Sequence, residues 1–191
     1  GSAELDHYDT AYAKNNTIIS TPSAGYRLLC LVENGKIVST SVNYNFITVH
    51  DSTFEAYFVP TDKYYVLFLD QSRKLIDIQV VAPNANAVAP NATKIPSKAG
   101  YNFINWDKSF TNITSDTLVY PIYQKNITDK YSITVINGNA SATDVAYDST
   151  VTVTALNPGN FSYWLRNNEI ASYDVSYTFS VYGEEVLEAI D

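Results

Sequence analysis

The chain repeats itself. Ala11-Tyr12 recurs 135 positions later as Ala146-Tyr147, and at the same separation Thr17-Ile18-Ile19-Ser20-Thr21 falls on Thr152-Val153-Thr154-Ala155-Leu156. Gly25-Tyr26-Arg27-Leu28-Leu29 falls on Asn160-Phe161-Ser162-Tyr163-Trp164. The first copy then reads as holding two extra residues, and the separation becomes 133. Ile37-Val38-Ser39 now meets Ile170-Ala171-Ser172, Tyr44-Asn45-Phe46 meets Tyr177-Thr178-Phe179, and Glu55-Ala56 meets Glu188-Ala189. A match that keeps turns, aromatics and strand ends in one order limits the fold to serial copies of one small unit. Between the copies, Ala99-Gly100-Tyr101-Asn102-Phe103-Ile104-Asn105-Trp106 offers the same turn, aromatic pair and large apolar end. Three modules are expected, 1–61, 62–126 and 127–191, joined at Val59-Pro60-Thr61-Asp62 and Asn126-Ile127-Thr128-Asp129.

The period inside each module is two. Tyr131-Ser132-Ile133-Thr134-Val135, Val151-Thr152-Val153-Thr154-Ala155 and Tyr177-Thr178-Phe179-Ser180-Val181 alternate apolar with small hydroxyl residues, the pattern of a strand with one face buried. Tyr64–Leu69 and Leu118–Tyr123 are apolar at nearly every position, which predicts strands covered on both faces. Pro121 lacks a ladder donor and predicts an edge or a bulge. Glu33-Asn34-Gly35-Lys36 and Asn137-Gly138 signal hairpins, and 82–99, rich in Ala, Pro and Asn, predicts a long irregular crossing. Glu184–Ile190 has helical propensity, but it aligns with Phe54-Glu55-Ala56-Tyr57-Phe58. A closing strand is therefore expected, since context overrides a weak propensity. The fold class is mainly β with little helix, as three tandem small sandwiches or comparable β-rich units.

A module of about 60 residues buries only about 60% of its unfolded surface. Large rings answer that shortage, each burying about 150–250 Å², and the chain holds 16 tyrosines, 8 phenylalanines and 2 tryptophans. The expected core is Trp106, Trp164, Phe103, Phe161, Tyr177, Phe179, Tyr44 and Phe46. Tyr57, Tyr65, Tyr173 and Tyr182 lie outside the repeated positions and are expected to be freer to face solvent.

Charge narrows the partners. With 12 Lys+Arg against 20 Asp+Glu the net charge is -8, the wrong sign for binding phosphate backbones or an anionic membrane. No apolar run approaches the roughly 18 residues of a membrane span. The single cysteine, Cys30, excludes an intramolecular disulfide and a multi-thiolate metal site. It aligns with Leu165 and reads as a buried hydrophobe. His50 reads as a solvated loop residue and His7 as part of an acidic terminus, Glu4–Asp9. Glu184 and Glu185 are neighbours that would face opposite ways, and Glu55 and Glu188 fall in different modules, so no carboxylate pair suits glycoside hydrolysis. No nucleophile elbow, phosphate loop or Cys/His grouping occurs. Neither enzyme activity, cofactor nor metal is expected. Six Asn-x-Ser/Thr sequons, at Asn15, Asn91, Asn112, Asn126, Asn139 and Asn160, are read as by-products of an Asn- and Thr-rich composition.

The middle module carries the most telling motif: Pro96, then Gly100-Tyr101, Phe103 and Trp106, followed by Thr114-Ser115-Asp116 and a closing strand ending at Tyr123. It resembles the Listeria–Bacteroides repeat, or internalin B-repeat, and the flanking modules resemble its divergent form, with Leu29 in place of the tryptophan in the first. The resemblance implies β-grasp-like units strung between the active domains of bacterial surface or secreted proteins. It also implies an extracellular, cell-surface or cell-wall location. Gly1-Ser2 reads as a tag-cleavage remnant, which makes the chain a piece of something longer. The expected role is a monomeric, non-catalytic stalk or spacer with adhesive capacity. The competing expectation is a module binding a host protein or a polysaccharide.

Overall fold

Alternation of apolar and hydroxyl residues becomes strand throughout a computed structural model that describes residues 1–6 and 12–191. Nineteen strands and one short 3-10 helix, Ala92–Lys94, account for the ordered elements among them. In chain order the first six strands are β1 (Ser2–Leu5), β2 (Asn15–Thr21), β3 (Tyr26–Glu33), β4 (Lys36–Ser39), β5 (Asn43–Ile47) and β6 (Phe54–Pro60). The next five are β7 (Tyr64–Leu69), β8 (Leu75–Val81), β9 (Tyr101–Trp106), β10 (Thr117–Val119) and β11 (Pro121–Lys125). Then follow β12 (Tyr131–Ile136), β13 (Gly138–Ala140), β14 (Asp144–Val145) and β15 (Ser149–Ala155). The chain closes with β16 (Tyr163–Arg166), β17 (Glu169–Ser172), β18 (Ser176–Val181) and β19 (Glu185–Ile190). Of the residues Glu184–Ile190, helical by propensity, Glu185–Ile190 thus form a strand. The strands pack as two compact units, Gly1–Pro96 with Ile104–Ile122, and Ser97–Phe103 with Tyr123–Asp191.

The first unit is built in layers. One sheet has the order β1-β2-β5, the next β4-β3-β6, and the third β10-β7-β8. Leu29, Cys30, Val32, Ile37 and Val59 of the middle sheet share a core with Leu67 and Leu69 of the third. On the far side of β7, Phe68 meets the rings of Trp106 and Phe110 at 4.9 and 5.3 Å. That is why Val66, Leu67, Phe68 and Leu69 are all buried: both faces of β7 are covered, as the unbroken apolar run predicts. The run Leu118–Tyr123 departs from the same expectation. It breaks into β10 and β11 at Tyr120, and Leu118 and Ile122 are exposed. Pro121 opens β11, and the first residue of a strand is a place where a missing N–H is tolerated. Val59 and Pro60 lie within β6, and the Thr61 N–H donates to the Gly25 carbonyl.

In the second unit the sheet β13-β15-β18 faces the sheet β14-β12-β19-β16-β17. Ile133, Val151, Val153, Trp164, Phe179, Val181, Leu187 and Ala189 fill the space between them. Here β12 runs parallel to β19. Asn137-Gly138 is not the hairpin that its composition suggests. With Asn137 in the left-handed region (φ 56), the chain leaves one sheet at β12 and enters the other at β13.

The repeat is present in the ladders. β1, β2 and β5 pair with the same register as β13, β15 and β18: Ala3 opposite Ser20 matches Gly138 opposite Ala155, and Ile18 opposite Tyr44 matches Val153 opposite Tyr177. β4, β3 and β6 likewise match β17, β16 and β19. Leu31 opposite Ala56 corresponds to Trp164 opposite Ala189, and Val32 opposite Ile37 to Leu165 opposite Ile170. Both hairpins carry an irregularity at that step, Leu31/Val32 and Trp164/Leu165. This corrects the alignment made from sequence. The two extra residues lie ahead of Cys30, in Pro22–Leu29, where β3 also bulges between Leu28 and Cys30. Leu31, not Leu29, therefore stands in the tryptophan position, and Cys30 corresponds to Tyr163 rather than Leu165. A bulge adds a residue without changing the flanking pattern, so aromatic matching alone cannot locate it.

Candidate functional site

A groove of about 420 Å³ lies in the first unit. The β3–β4 turn, with Asn34 and Gly35 both at positive φ, fixes Glu33 at its edge. Period two in β5 puts Tyr44 and Phe46 on one face, where their rings lie stacked with centroids 5.7 Å apart. Phe54 closes on Phe46 at 4.8 Å. The segment leading into β6 supplies His50 and Ser52.

The polar contacts decide what this groove can do. Ser52 Oγ donates to Glu33 Oε1 at 2.5 Å and lies 2.9 Å from His50 Nδ1, which is also 3.1 Å from the Asp51 carbonyl. The hydroxyl has one proton, and Glu33 takes it. His50 Nδ1 then acts as donor, to Ser52 and the Asp51 carbonyl. A serine nucleophile needs the reverse, an imidazole that accepts its proton and a carboxylate behind the imidazole. Ring faces, a carboxylate and a hydroxyl suit binding instead. Partial burial, and then the nearby Glu33 charge, raise the Tyr44 hydroxyl pKa, so it stays protonated as a donor.

The corresponding place in the second unit holds a different chemistry. Arg166 matches Glu33 and Glu185 matches Ser52. Arg166 donates from Nη2 to Glu185 Oε1 and from Nε to Oε2 at 2.9 Å, with Asn167 donating to the same carboxylate at 2.8 Å. The guanidinium also caps the Ser180 carbonyl and lies 4.5 Å from the Phe179 ring centre. The Arg166 hydrogen bonds, together with its charge, hold the Glu185 carboxyl below the usual range despite burial. Glu184 is exposed and Glu185 buried, so adjacency on a strand does separate them. The ion pair itself was not read from the sequence. Only the pairing of β16 with β19 brings Arg166 to Glu185, and no local pattern in the sequence announces it.

The remaining expected residues fall as follows. Trp106, Trp164 and Phe179 are buried, while Phe103, Phe161, Tyr177, Tyr44 and Phe46 are half-buried. Phe103 packs edge-on to Tyr123, Phe161 lies 5.8 Å from Trp164, and Tyr177 stacks on Phe179. Tyr57 and Tyr65 are half-buried against the core shared with β7, whereas Tyr173 and Tyr182 are exposed. Cys30 is fully buried, and desolvation pushes its thiol up to about 12; such a group is not a nucleophile at neutral pH. His50 is exposed in its loop; His7 lies outside the described residues. Among the described residues no group of three or more His, Cys, Asp or Glu side chains is placed to hold a metal ion. No helix there is long and apolar enough to cross a membrane.

The middle motif has a local physical meaning. Gly100 stands at φ +72, and a Cβ there would lie 2.3 Å from the Tyr147 ring, so both backbone and space require glycine. Asp116 accepts from Arg27 at 2.7 Å and from the Tyr65 N–H at 3.1 Å, which ties the motif's aspartate to the start of β7. The side chain of Asn126 accepts from Thr128 and Asp129 and donates to Asp129. Asn91 accepts from Thr93 to cap the 3-10 helix. No protein-family model, curated protein or solved structure matches the chain.

Proposed function

We propose that the chain is a non-catalytic segment of an extracellular bacterial surface or secreted protein, made of tandem modules of the Listeria–Bacteroides repeat type and serving as a stalk or spacer. One observation carries this reading. The two outer copies keep strand order, register and the asparagine turns at Asn34 and Asn167, yet their matching polar clusters are built from different pairs: Glu33 with Ser52 in one, Arg166 with Glu185 in the other. A duplicated catalytic or binding site would need the same groups twice. A duplicated spacer needs only the frame. The low charge density and net charge of -8 suit a chain that must stay soluble without adhering.

The test combines a glycan and host-protein array with calorimetry on the full chain. The spacer reading expects no partner at about millimolar affinity or tighter. A second reading, a polysaccharide-binding module, is favoured by the stacked Tyr44 and Phe46 beside Glu33. Binding of a soluble glycan that is lost in Tyr44→Ala and Phe46→Ala, with folding unchanged by circular dichroism, would replace the first reading with the second.

A further inference from the structure

A groove of about 330 Å³ in the first unit is lined from β4, β7 and β10. Ile37, Leu67, Leu69 and Leu118 make its apolar wall. The first three are buried, whereas Leu118 is exposed. Leu118 stands opposite Leu67 in the parallel β10–β7 pair, so the two share one face of the sheet, and β10 is its edge strand. One charged side chain lines the groove, Arg73. It lies in the β7–β8 turn at φ 69, a left-handed conformation that glycine adopts more readily than a long side chain. Its carbonyl accepts from the Ile37 N–H at 3.1 Å, which holds the turn against β4. Among the described residues its guanidinium has no hydrogen-bond or ion-pair partner. Asp70, the carboxylate of the same turn, is engaged by Ser72 and by the Lys74 N–H. Lys74, next to Arg73 in sequence, meets Lys36 in an isolated bridge. Lys36, Arg73 and Lys74 thus gather at one corner of a chain whose net charge is -8.

We propose that this groove binds a small amphipathic carboxylate, a fatty acid of medium chain length, with its apolar chain along Leu67, Leu69 and Leu118 and its carboxylate on Arg73. The volume stands at the low end of the roughly 300–1,000 Å³ of small-ligand sites, and an apolar lining with one charged group at its rim is the chemistry such sites use. Covering Leu118 and the methylenes of the chain drives the association. The guanidinium offers paired N–H donors that match the two oxygens of a carboxylate, which fixes the direction of the chain. In an otherwise acidic molecule this basic corner attracts an anion. The site is independent of the spacer reading, and none of the residues named here lines the groove beside Tyr44.

The probes are sodium octanoate and its uncharged counterpart 1-octanol, each titrated into the full chain while amide and methyl chemical shifts are followed. Octanoate shifts that are centred on Ile37, Leu67, Leu69 and Leu118 and saturate by about 5 mM support the proposal. Arg73→Gly should weaken octanoate by about fivefold or more and leave octanol within about twofold. Glycine suits φ 69, so this variant is expected to keep the fold, as its melting temperature would show. A measurement on the parent chain replaces it if it does not. Raising salt from about 20 to about 500 mM should weaken octanoate and leave octanol unchanged. Leu118→Ser, at an exposed edge position, should weaken both probes. No saturation by about 5 mM, or shifts centred elsewhere, overturns the proposal. So does octanoate binding that is indifferent to salt, or that a folded Arg73→Gly chain retains.

Discussion

β3 and β16 occupy the same place in two copies of one ladder, yet their outward faces meet different surroundings. In the first unit Cys30 and Ile37 are buried against Leu67 and Leu69 of β7. Their counterparts, Tyr163 and Ile170, are half-buried and exposed, and the exposed Tyr173 ring lies edge-on to Tyr163 at 6.2 Å. The inward faces differ by paired changes in side-chain size. Trp164 lies against Gly138, where a Cβ would come within 2.4 Å of the indole. In the first unit the matching residues are the smaller Leu31 and the larger Ala3, and both line a groove of about 300 Å³. The register is common property of the copies; what each side chain does is set by the layer that covers it. The inward face varies in the size of its matched side chains, whereas the outward face takes its character from its neighbour.

The inward pairing gives the largest effect. Trp164→Ala is expected to cost about 3–5 kcal/mol in urea unfolding of the full chain. Gly138→Ala alone overpacks and costs about 1–3 kcal/mol. Combined with Trp164→Leu it recreates the first unit's solution. The double variant should therefore lose at least about 1 kcal/mol less than the sum of its two parts. Simple additivity would mean that the two residues do not answer one another.

The outward faces come next. Ile37 is 3% exposed and Ile170 is 56% exposed at matching positions. Ile37→Ala should cost about 2–4 kcal/mol, and Ile170→Ala should stay within about 0.5 kcal/mol of the parent. Equal losses would show that the surroundings of the two strands are alike, and the contrast drawn above would fail.

This contrast also marks what the sequence makes legible. Alternation in β12, β15 and β18 shows directly in the residues, and the internal match predicted β19 against its own propensity, because both signals depend on local side-chain periods. The cover on β7 was legible as well, since an apolar residue at every position has no wet face to spare. The burial of Ile37 and exposure of Ile170 were not, because both sit in the same local pattern and differ only in a distant partner. The bulge that moves the tryptophan position from Leu29 to Leu31 left no compositional mark. The polar groove was partly legible. His50 and Ser52 could be placed in a loop, but the hydrogen bond of Ser52 to Glu33 depends on the fold joining residues 19 apart.

The two polar clusters should separate on acidification. Glu185 titrates below its unfolded value. Its contribution is therefore complete above the ordinary carboxylate range and is lost as pH falls through the depressed folded value. Glu185→Gln is expected to flatten that acid limb of the stability curve, and to destabilise by about 1–3 kcal/mol at neutral pH because Arg166 loses its charged partner. Ser52→Ala, at the matching place in the first unit, removes one hydrogen bond to a carboxylate and should cost about 1 kcal/mol. Melts from pH 7 down to pH 3 would expose any shared behaviour.

The smallest effect tests the covered face from the side of reactivity. Cys30 has no exposed surface, and burial alone raises its thiol to about 12, so neither access nor thiolate is provided at neutral pH. A maleimide or an aromatic disulfide reagent should therefore label it only as fast as the layer over β3 opens, and labelling should accelerate with urea along the unfolding transition. Tyr163→Cys in a Cys30→Ala background puts a thiol at the matching, half-buried position of β16. It is expected to react under native conditions at least tenfold faster than Cys30 in the parent, with little change in melting temperature. Comparable native rates at both positions would mean that β7 does not seal the outer face of β3, and the distinction between the two copies would reduce to the inward pairing alone.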